Sequence, residues 1–584
     1  MNPGGAPSRS WGRATSRAMG IWAASSWART RTLLPGRPEL MSVRRSPRRD
    51  LLAGLTVAVV ALPLALAFGI TSGLGAGAGL VTAVVAGIVA AAFGGSNLQV
   101  SGPTGAMTVV LVPIVAQFGA SSVLVVGLMA GIVLLGLAYS GAGKYMRYIP
   151  LPVVEGFTIG IALVIGLQQV PAALGVKGAG EKVAVIAFDS LRLWFAHPHW
   201  AEPAIAAGVA ITMLVAVRFR PTWPMSLPAV IIAAIVVATS HLTIPMIGAI
   251  PAGLPTPSMP HVEWSSLTSL LLPAVAVAAL GALESLLSAT VADGMSVGER
   301  HDSDKELFGQ GLANLVVPFV GGMPATAAIA RTAVNVRSGA RSRLSAGFHA
   351  IVLLVVMIAL APAVANIPLA ALAGVLLATA ALMIEVSSVH ALLRSTRGDA
   401  VVLVLTTVAT VTFDLVTAVI LGLVVAGFFA LQQVARSARL QEIAIPSDEA
   451  DHNAEETSLL ADHIVAYRLE GSLFFGAAHS FLLALSEVSD VRVVVLRMSR
   501  VATLDATGAS VLADTIARLE AREITVLLSG VRPDHERVLT RLGVFEQLAH
   551  ARHVFATTPE AIAHARAHVL RASPAVTNDD HGPE

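Results

Sequence analysis

Gly102-Pro103-Thr104-Gly105-Ala106-Met107 returns, 221 residues further on, as Met323-Pro324-Ala325-Thr326-Ala327-Ala328. Each is a turn of small residues, with proline placed for the first helical position, where its missing N–H costs nothing. Each opens an apolar run too short to cross a bilayer, ending near Gln117 and near Arg337. The same offset carries Pro63, midway along the first apolar span, onto Glu284, midway along the span 267–291, and carries Gly73 onto Gly294. One register relates all these pairs, so the chain reads as an internal duplication. Short, Gly/Pro-interrupted hydrophobic segments at matching places in two halves mark the binding sites of inverted-repeat transporters.

Composition sets the environment. The 584 residues are 55% hydrophobic and only 13% charged, with a mean hydropathy of +0.74, whereas soluble domains carry about 25% charged residues. A spanning helix needs about 17–25 apolar residues, and such runs recur from Leu51 to Gln432. The predicted segments are 51–71, 78–94, 103–117, 121–140, 152–171, 203–219, 226–243, 267–291, 306–320, 324–337, 342–362, 369–389, 399–413 and 416–435. Cations test this topology. Arg44, Arg45, Arg48, Arg49, Lys144, Arg147, Arg218, Arg220, Arg300, Lys305, Arg337, Arg341, Arg343, Arg394, Arg397, Arg436 and Arg439 fall on one side, against Lys177, Lys182 and Arg192 on the other. That bias predicts a multi-pass protein of the cell membrane with both termini cytoplasmic. The formal charge of +2 and pI near 9.1 therefore reflect orientation in lipid and not nucleic-acid binding.

The chain has no cysteine, which excludes disulfides and thiolate metal sites. It lacks a Gly-x-x-x-x-Gly-Lys-Ser/Thr loop, so ATP drive within the chain is unsupported. No cofactor and no enzymatic activity are expected. Residues 1–44 read as a disordered or mis-assigned extension, with Met41 an alternative start. Residues 45–440 form the transmembrane domain and the acidic stretch 441–461 is a linker. Residues 462–570 follow a soluble α/β pattern, with strands at His463–Leu469, Leu473–Phe475, Val491–Met498 and Ile524–Ser529. Helices are predicted at Ala477–Glu487, Ala509–Glu520 and His535–Arg541, because the apolar period switches between two and 3.6. Residues 571–584 read as a disordered tail.

Three stretches carry a family resemblance. Val291-Ala292-Asp293-Gly294, then Lys305-Glu306-Leu307-Phe308-Gly309-Gln310-Gly311-Leu312-Ala313-Asn314, run on into Gly321-Gly322-Met323-Pro324-Ala325-Thr326-Ala327-Ala328-Ile329-Ala330-Arg331-Thr332-Ala333-Val334-Asn335. This closely resembles the SulP anion transporters, as does Gln99-Val100-Ser101-Gly102-Pro103-Thr104-Gly105. Gly471-Ser472-Leu473-Phe474-Phe475-Gly476 and Leu504-Asp505-Ala506-Thr507-Gly508 look like the STAS domain those transporters carry. The resemblance, over residues 45–570, implies a polytopic α-helical membrane protein of fourteen segments in a seven-plus-seven inverted repeat. It also implies core and gate halves, a small cytoplasmic STAS domain and a homodimer. The function implied is secondary active transport of inorganic anions, most often sulfate, by an elevator-like core movement. Bicarbonate or a four-carbon dicarboxylate is the alternative substrate. An anion channel, or a membrane-anchored STAS signalling protein with a cytoplasmic partner, is the alternative class. Uracil/xanthine permeases share the plan but lack STAS and bind a neutral base, against which Arg331 argues.

The candidate site follows. Helices starting at Pro103 and Pro324 would aim the N–H groups of Thr104, Gly105 and Ala106, and of Ala325, Thr326 and Ala327, at one another across the midplane. Two positive dipole ends of about half a charge each would then hold an anion. Glu284 is the lone acid of its span, and an intramembrane carboxylate is functional by default. Ser288 lies one turn on, on the same face. Relatives that couple to sodium tend to have Asp and Thr at these two places, so Glu284 and Ser288 favour a proton as the co-transported ion. Arg331, two helical turns after Pro324, would pair with Glu284 or balance anion charge. Phe68 would line the cavity by resemblance, and Leu64 stands where many animal relatives have Gln. In the STAS part, Asp505 and Thr507 are the regulatory candidates. Ala506 occupies the place where bacterial relatives that switch partners carry a phosphorylated Ser or Thr.

Overall fold

The computed structural model describes residues 29–36, 43, 46–180, 182–220, 223–260, 267–296, 299–413, 415–437, 439–442, 463–473, 491–550 and 552–572. Fourteen of its helices match the fourteen predicted segments. They are α1 (Pro47–Thr71), α2 (Ala76–Phe93), α3 (Gly105–Phe118), α4 (Ala120–Ser140), α5 (Leu151–Leu174), α7 (Ala201–Phe219), α8 (Ser226–Thr239), α9 (Leu267–Met295), α10 (Ser303–Val316), α11 (Ile329–Arg337), α12 (Leu344–Ala359), α14 (Leu369–Met383), α16 (Arg397–Thr412) and α17 (Leu415–Ser437). Between them lie α6 (Val183–Ala196), α13 (Ala361–Ala365) and α15 (Val386–Ser395). Eight of the described spans are long and apolar enough to cross a bilayer, α14 being counted together with α15; α3, α8 and α12 are shorter apolar helices.

Packing shows the duplication. α1 lies on α12 as its repeat mate α9 lies on α4. α5 packs on α16 as α14 packs on α7, while α2 meets α10 and α5 meets α14 directly. These are the couples that a two-fold exchange of the halves requires. α1 to α4 and α9 to α12 form the core half; α5, α7, α8, α14, α16 and α17 form the gate half. Within the core, α1 and α2 cross backbone to backbone. A Cβ on Gly69 would stand 2.8 Å from the Gly79 nitrogen, the close approach that small residues permit between membrane helices.

Three expectations change. α6 lies between the fifth and sixth segments; it buries only Ala187, Ser190 and Trp194 and, at 14 residues, does not add a span. The twelfth segment breaks at Ile384-Glu385, after which α15 buries no residue. The helices of the third and tenth segments begin later than their prolines, at Gly105 and Ile329.

The chain divides into compact units Met1–Val424 and Val425–Glu584. In the second, β3 (Arg439–Glu442), β4 (Ile464–Leu473), β5 (Val493–Leu504), β6 (Thr525–Ser529) and β7 (Val554–Phe555) form one sheet in that order. β3 runs antiparallel and the rest run parallel. Val494 and Leu496 turn to Leu512, Ile516 and Leu519 of α18 (Ala506–Glu520) and to Leu539 of α19 (Pro533–Arg541). Val493 and Val495 turn to Ala561, Ile562 and Ala565 of α20 (Thr558–Ala572). Both faces are covered, as a parallel sheet requires. The two strands expected over 463–475 are one strand up to Leu473, with irregular register near Glu470 and Ser472. The predicted helix Ala477–Glu487, most of the linker 441–461 and residues Phe474 and Phe475 lie outside the described residues, as do residues 1–28 and 573–584.

Four histidines, His550, His553, His564 and His568, gather where α20 crosses the sheet edge. Burial first, then His564, His568 and His550, push the His553 imidazole down from 6.5 to about 4. A depressed folded value means this contribution to stability is complete above pH 6.5 and is lost as pH falls from 6.5 toward 4. Amide exchange in α20 of the intact protein, corrected for intrinsic rates, should therefore accelerate across that window. His553→Gln should flatten the dependence.

Candidate anion site

The two repeated motifs meet as strands. Ser101 pairs with Ala327 and Gly102 with Thr326, antiparallel. Ala328 N–H donates to the Val100 carbonyl at 3.0 Å, and Val100 N–H donates to Thr332 Oγ1 at 3.1 Å. Pro103 therefore precedes the N-cap, Thr104, whose Oγ1 accepts from Met107 N–H. Pro324 lies further back, in extended chain, and α11 is capped only by the backbone of Ala328. Proline disfavours helix at the residue before it, which suits Gly102 ahead of Pro103; in the second repeat the extended residues Thr326 and Ala327 follow Pro324 and are held by inter-repeat pairing.

This relocates half of the predicted donor set. Ala325, Thr326 and Ala327 are fully buried and their polar groups are spent within the protein. Asn314 grips Ala325 twice, Oδ1 accepting its N–H and Nδ2 donating to its carbonyl, each at 2.8 Å. Ala327 N–H donates to Ser285 Oγ at 3.2 Å, and that hydroxyl meets Thr326 Oγ1 at 2.9 Å. The first-turn N–H groups that have no intrahelical acceptor belong instead to Gly105 and Ala106 on α3 and to Ile329, Ala330 and Arg331 on α11. All five of these residues line one cavity of about 950 Å³, together with Phe68, Leu64, Thr104 and Glu284. The gate half contributes Thr158 of α5, Met213 of α7, Ser226 of α8 and Thr379 of α14. The cavity reaches Met295, Arg337 and Glu385, residues at the helix ends of the cation-rich face.

Arg331 is 1% exposed. Its Nη2 donates to the Pro103 carbonyl at 2.8 Å, and its Nη1 has no hydrogen-bond partner among the described residues. A Cβ at Gly102 would stand 2.8 Å from Nη1, so only glycine leaves room for the guanidinium there. Glu284 accepts from Thr104 Oγ1 at 2.8 Å and forms no ion pair with Arg331 among the described residues. The pairing expected of them is absent because the arginine is held by the turn of the other repeat. Ser288 does not share the cavity with Glu284. It is fully buried and donates to Thr332 Oγ1 at 2.9 Å, because one turn further along α9 lies beneath the paired strands. Thr158 and Thr379 were not among the expected site residues, although Thr379 is the lone hydroxyl of an otherwise apolar gate helix. In the second unit, Asp505 caps α18 by accepting from Gly508 N–H at 2.7 Å, and Thr507 is exposed in its first turn.

Comparison with known proteins agrees with this architecture. Residues 48–406 match the sulfate permease family and residues 459–561 match the STAS domain. YvdB of Bacillus subtilis, assigned as a sulfate transporter, is 35% identical over 86% of this chain and 94% of its own. The bicarbonate transporter BicA of Picosynechococcus is 32% identical over 86% and 92%. The solved transmembrane domain of a cyanobacterial BicA is 33% identical, with a TM-score of 0.57, covering 66% of this chain and 98% of that one. Murine Slc26a9, an anion transporter solved facing inward, shares the fold at 18% identity and a TM-score of 0.79, over 92% and 95% of the chains. The chain belongs to the sulfate permease family, with a helical transmembrane fold and a C-terminal STAS domain.

Thr104 joins the α3 cap to Glu284, so its removal has a local cost. Thr104→Val should lower stability by about 1–2 kcal/mol, read as a lower melting temperature of the purified protein. Thr104→Ser should restore most of it.

Proposed function

We propose that this chain is a secondary active carrier of small oxyanions, sulfate first, coupled to a proton. The carrying observation is Arg331, a buried arginine lining a cavity between two helix N-termini, whose Nη1 has no hydrogen-bond partner among the described residues. Two dipole ends of about half a charge each and one guanidinium supply about two positive charges. A doubly charged oxyanion balances them when Glu284 is neutral. An ionised Glu284 would cancel one, leaving a site suited to a single negative charge, the charge of bicarbonate. Protonation and sulfate binding are then linked, each raising the affinity for the other. The assignment of YvdB to sulfate and the naming of BicA for bicarbonate support both sides of this choice.

The charge bias of the loops makes the cation-rich face cytoplasmic, so the cavity opens inward. On the opposite side it closes where Ile165 of the gate helix α5 packs against Gly105 and Phe68. Exchange of access then requires the core half, with its paired strands and both N-termini, to slide along α5 and α14. The STAS unit would be cytoplasmic, with Thr507 available for regulation. Homodimer assembly and residence in the cell membrane are proposed from the family.

Counterflow in proteoliposomes tests the reading. Labelled sulfate uptake should saturate, and Arg331→Gln should weaken it at least ~10-fold, the loss of one charge-assisted bond. Glu284→Gln should keep exchange but lose acceleration by an inward proton gradient. Non-saturating flux would make the protein a channel, and uptake by Glu284→Gln that still follows the gradient would remove the proton from this site. Single cysteines replacing Lys177 and Arg300 should label from opposite faces.

A further inference from the structure

The gate helix α5 presents one stripe to the core half. Thr158, Ile165 and Gln169 stand seven and then four residues apart, which is one helical face. Thr158 borders the large cavity, and Ile165, 2% exposed, fills the space that the missing side chain of Gly105 leaves. Beyond Ile165 a second cavity of about 230 Å³ opens, with Gln168 and Gln169 among its lining residues, along with Thr71 of α1, Val112 of α3, Ile186 of α6 and Leu372 of α14. Its walls are otherwise apolar. Gln169 Nε2 reaches Thr71 Oγ1 at 3.4 Å, across the boundary between gate and core. Both amide atoms of Gln168 are buried and without a hydrogen-bond partner among the described residues. An unpaired buried amide is unfavourable, and one retained at the wall of a cavity is placed to bind something there.

The two cavities lie on either side of a single constriction. Gly105, whose N–H belongs to the anion site, faces Ile165, one turn along α5 from Gln168 and Gln169. A slide of the core half by about one helical turn, ~5.4 Å, would bring the α3 N-terminus level with these amides. We infer that Gln168 and Gln169 are a second anion contact, which substrate meets on the far side of the Ile165 constriction. This inference rests on the carrier reading. The amide Nε2 offers two N–H donors to oxyanion oxygens, and Oε1 accepts from a protonated oxyanion. A neutral donor holds the anion without trapping it, while Thr158 and Thr379 serve the other face. Gln168 is thereby a specificity-determining residue for entry from one side only.

The inference predicts a one-sided defect. The full-length protein, reconstituted with known orientation, is assayed with labelled sulfate at varied concentration on each face in turn. Gln168→Met should raise half-saturation ~10-fold on the face bearing Lys177 and Lys182 and leave it unchanged on the face bearing Arg337. Gln168→Asn should restore part of the affinity, and Gln168→Glu, which keeps size and polarity but repels an anion, should raise half-saturation further on the same face. If the Met variant fails to assemble, the Glu variant carries the test. Equal changes on both faces, or no change on either, would overturn the inference. Absence of saturable sulfate uptake in the parent protein is a separate result that defeats the carrier reading itself.

Discussion

The two-residue antiparallel pairing of Ser101-Gly102 with Thr326-Ala327 is the constraint on which the transmembrane unit depends. Antiparallel pairing lets two turns from inverted repeats meet face to face, with the helices that follow leaving in opposite directions. It satisfies backbone groups that lipid could not and leaves the next N–H groups of each chain unspent. Asn314 completes it as a side-chain strand, matching both hydrogen bonds of Ala325. Arg331 then ties the second repeat to the first through the Pro103 carbonyl. Remove the pairing, and the two helix ends have no reason to share a cavity.

Much of this was legible in the sequence, and the boundary of what was legible is physical. The duplication showed itself because the two motifs and the Pro63–Glu284 pair keep one offset. The fourteen segments showed themselves because apolar length and cation placement are local signals. The start of α11 did not, since proline and small residues suit an extended chain as well as a helix start, and the partner strand lies more than two hundred residues away. Ser288 was misplaced for a related reason. Helical spacing put it on the face of Glu284, but not at the same depth, and depth decides which side chains meet a cavity. The first-turn residues of the second repeat that line the cavity are Ile329–Arg331 and not Ala325–Ala327, while Gly105, Ala106, Phe68, Glu284 and Arg331 all line it.

The soluble unit shows the same division. The first half of β5, Val493–Leu496, and the whole of β6 are buried on both faces and rich in Val and Leu, and were readable. β3 and β7 were not, because short edge strands carry little pattern of their own and depend on neighbours. Asp505 was singled out for regulation, and its geometry gives it the structural task of an N-cap. A capping aspartate and an exposed threonine two residues on are compatible with both roles, since the cap fixes the helix start that displays Thr507.

Placing main-chain N–H groups at the proposed anion site has a consequence for how such a protein diversifies. A point mutation cannot delete a peptide N–H except by introducing proline, so the main-chain part of the site is shielded from most substitutions. What drift and selection can alter are the side chains around it: Leu64 and Phe68 on α1, Thr158 and Thr379 on the gate, Glu284 on α9. New substrate preferences in a lineage built on this plan would therefore arise by exchanging the lining, with the main-chain donors inherited intact.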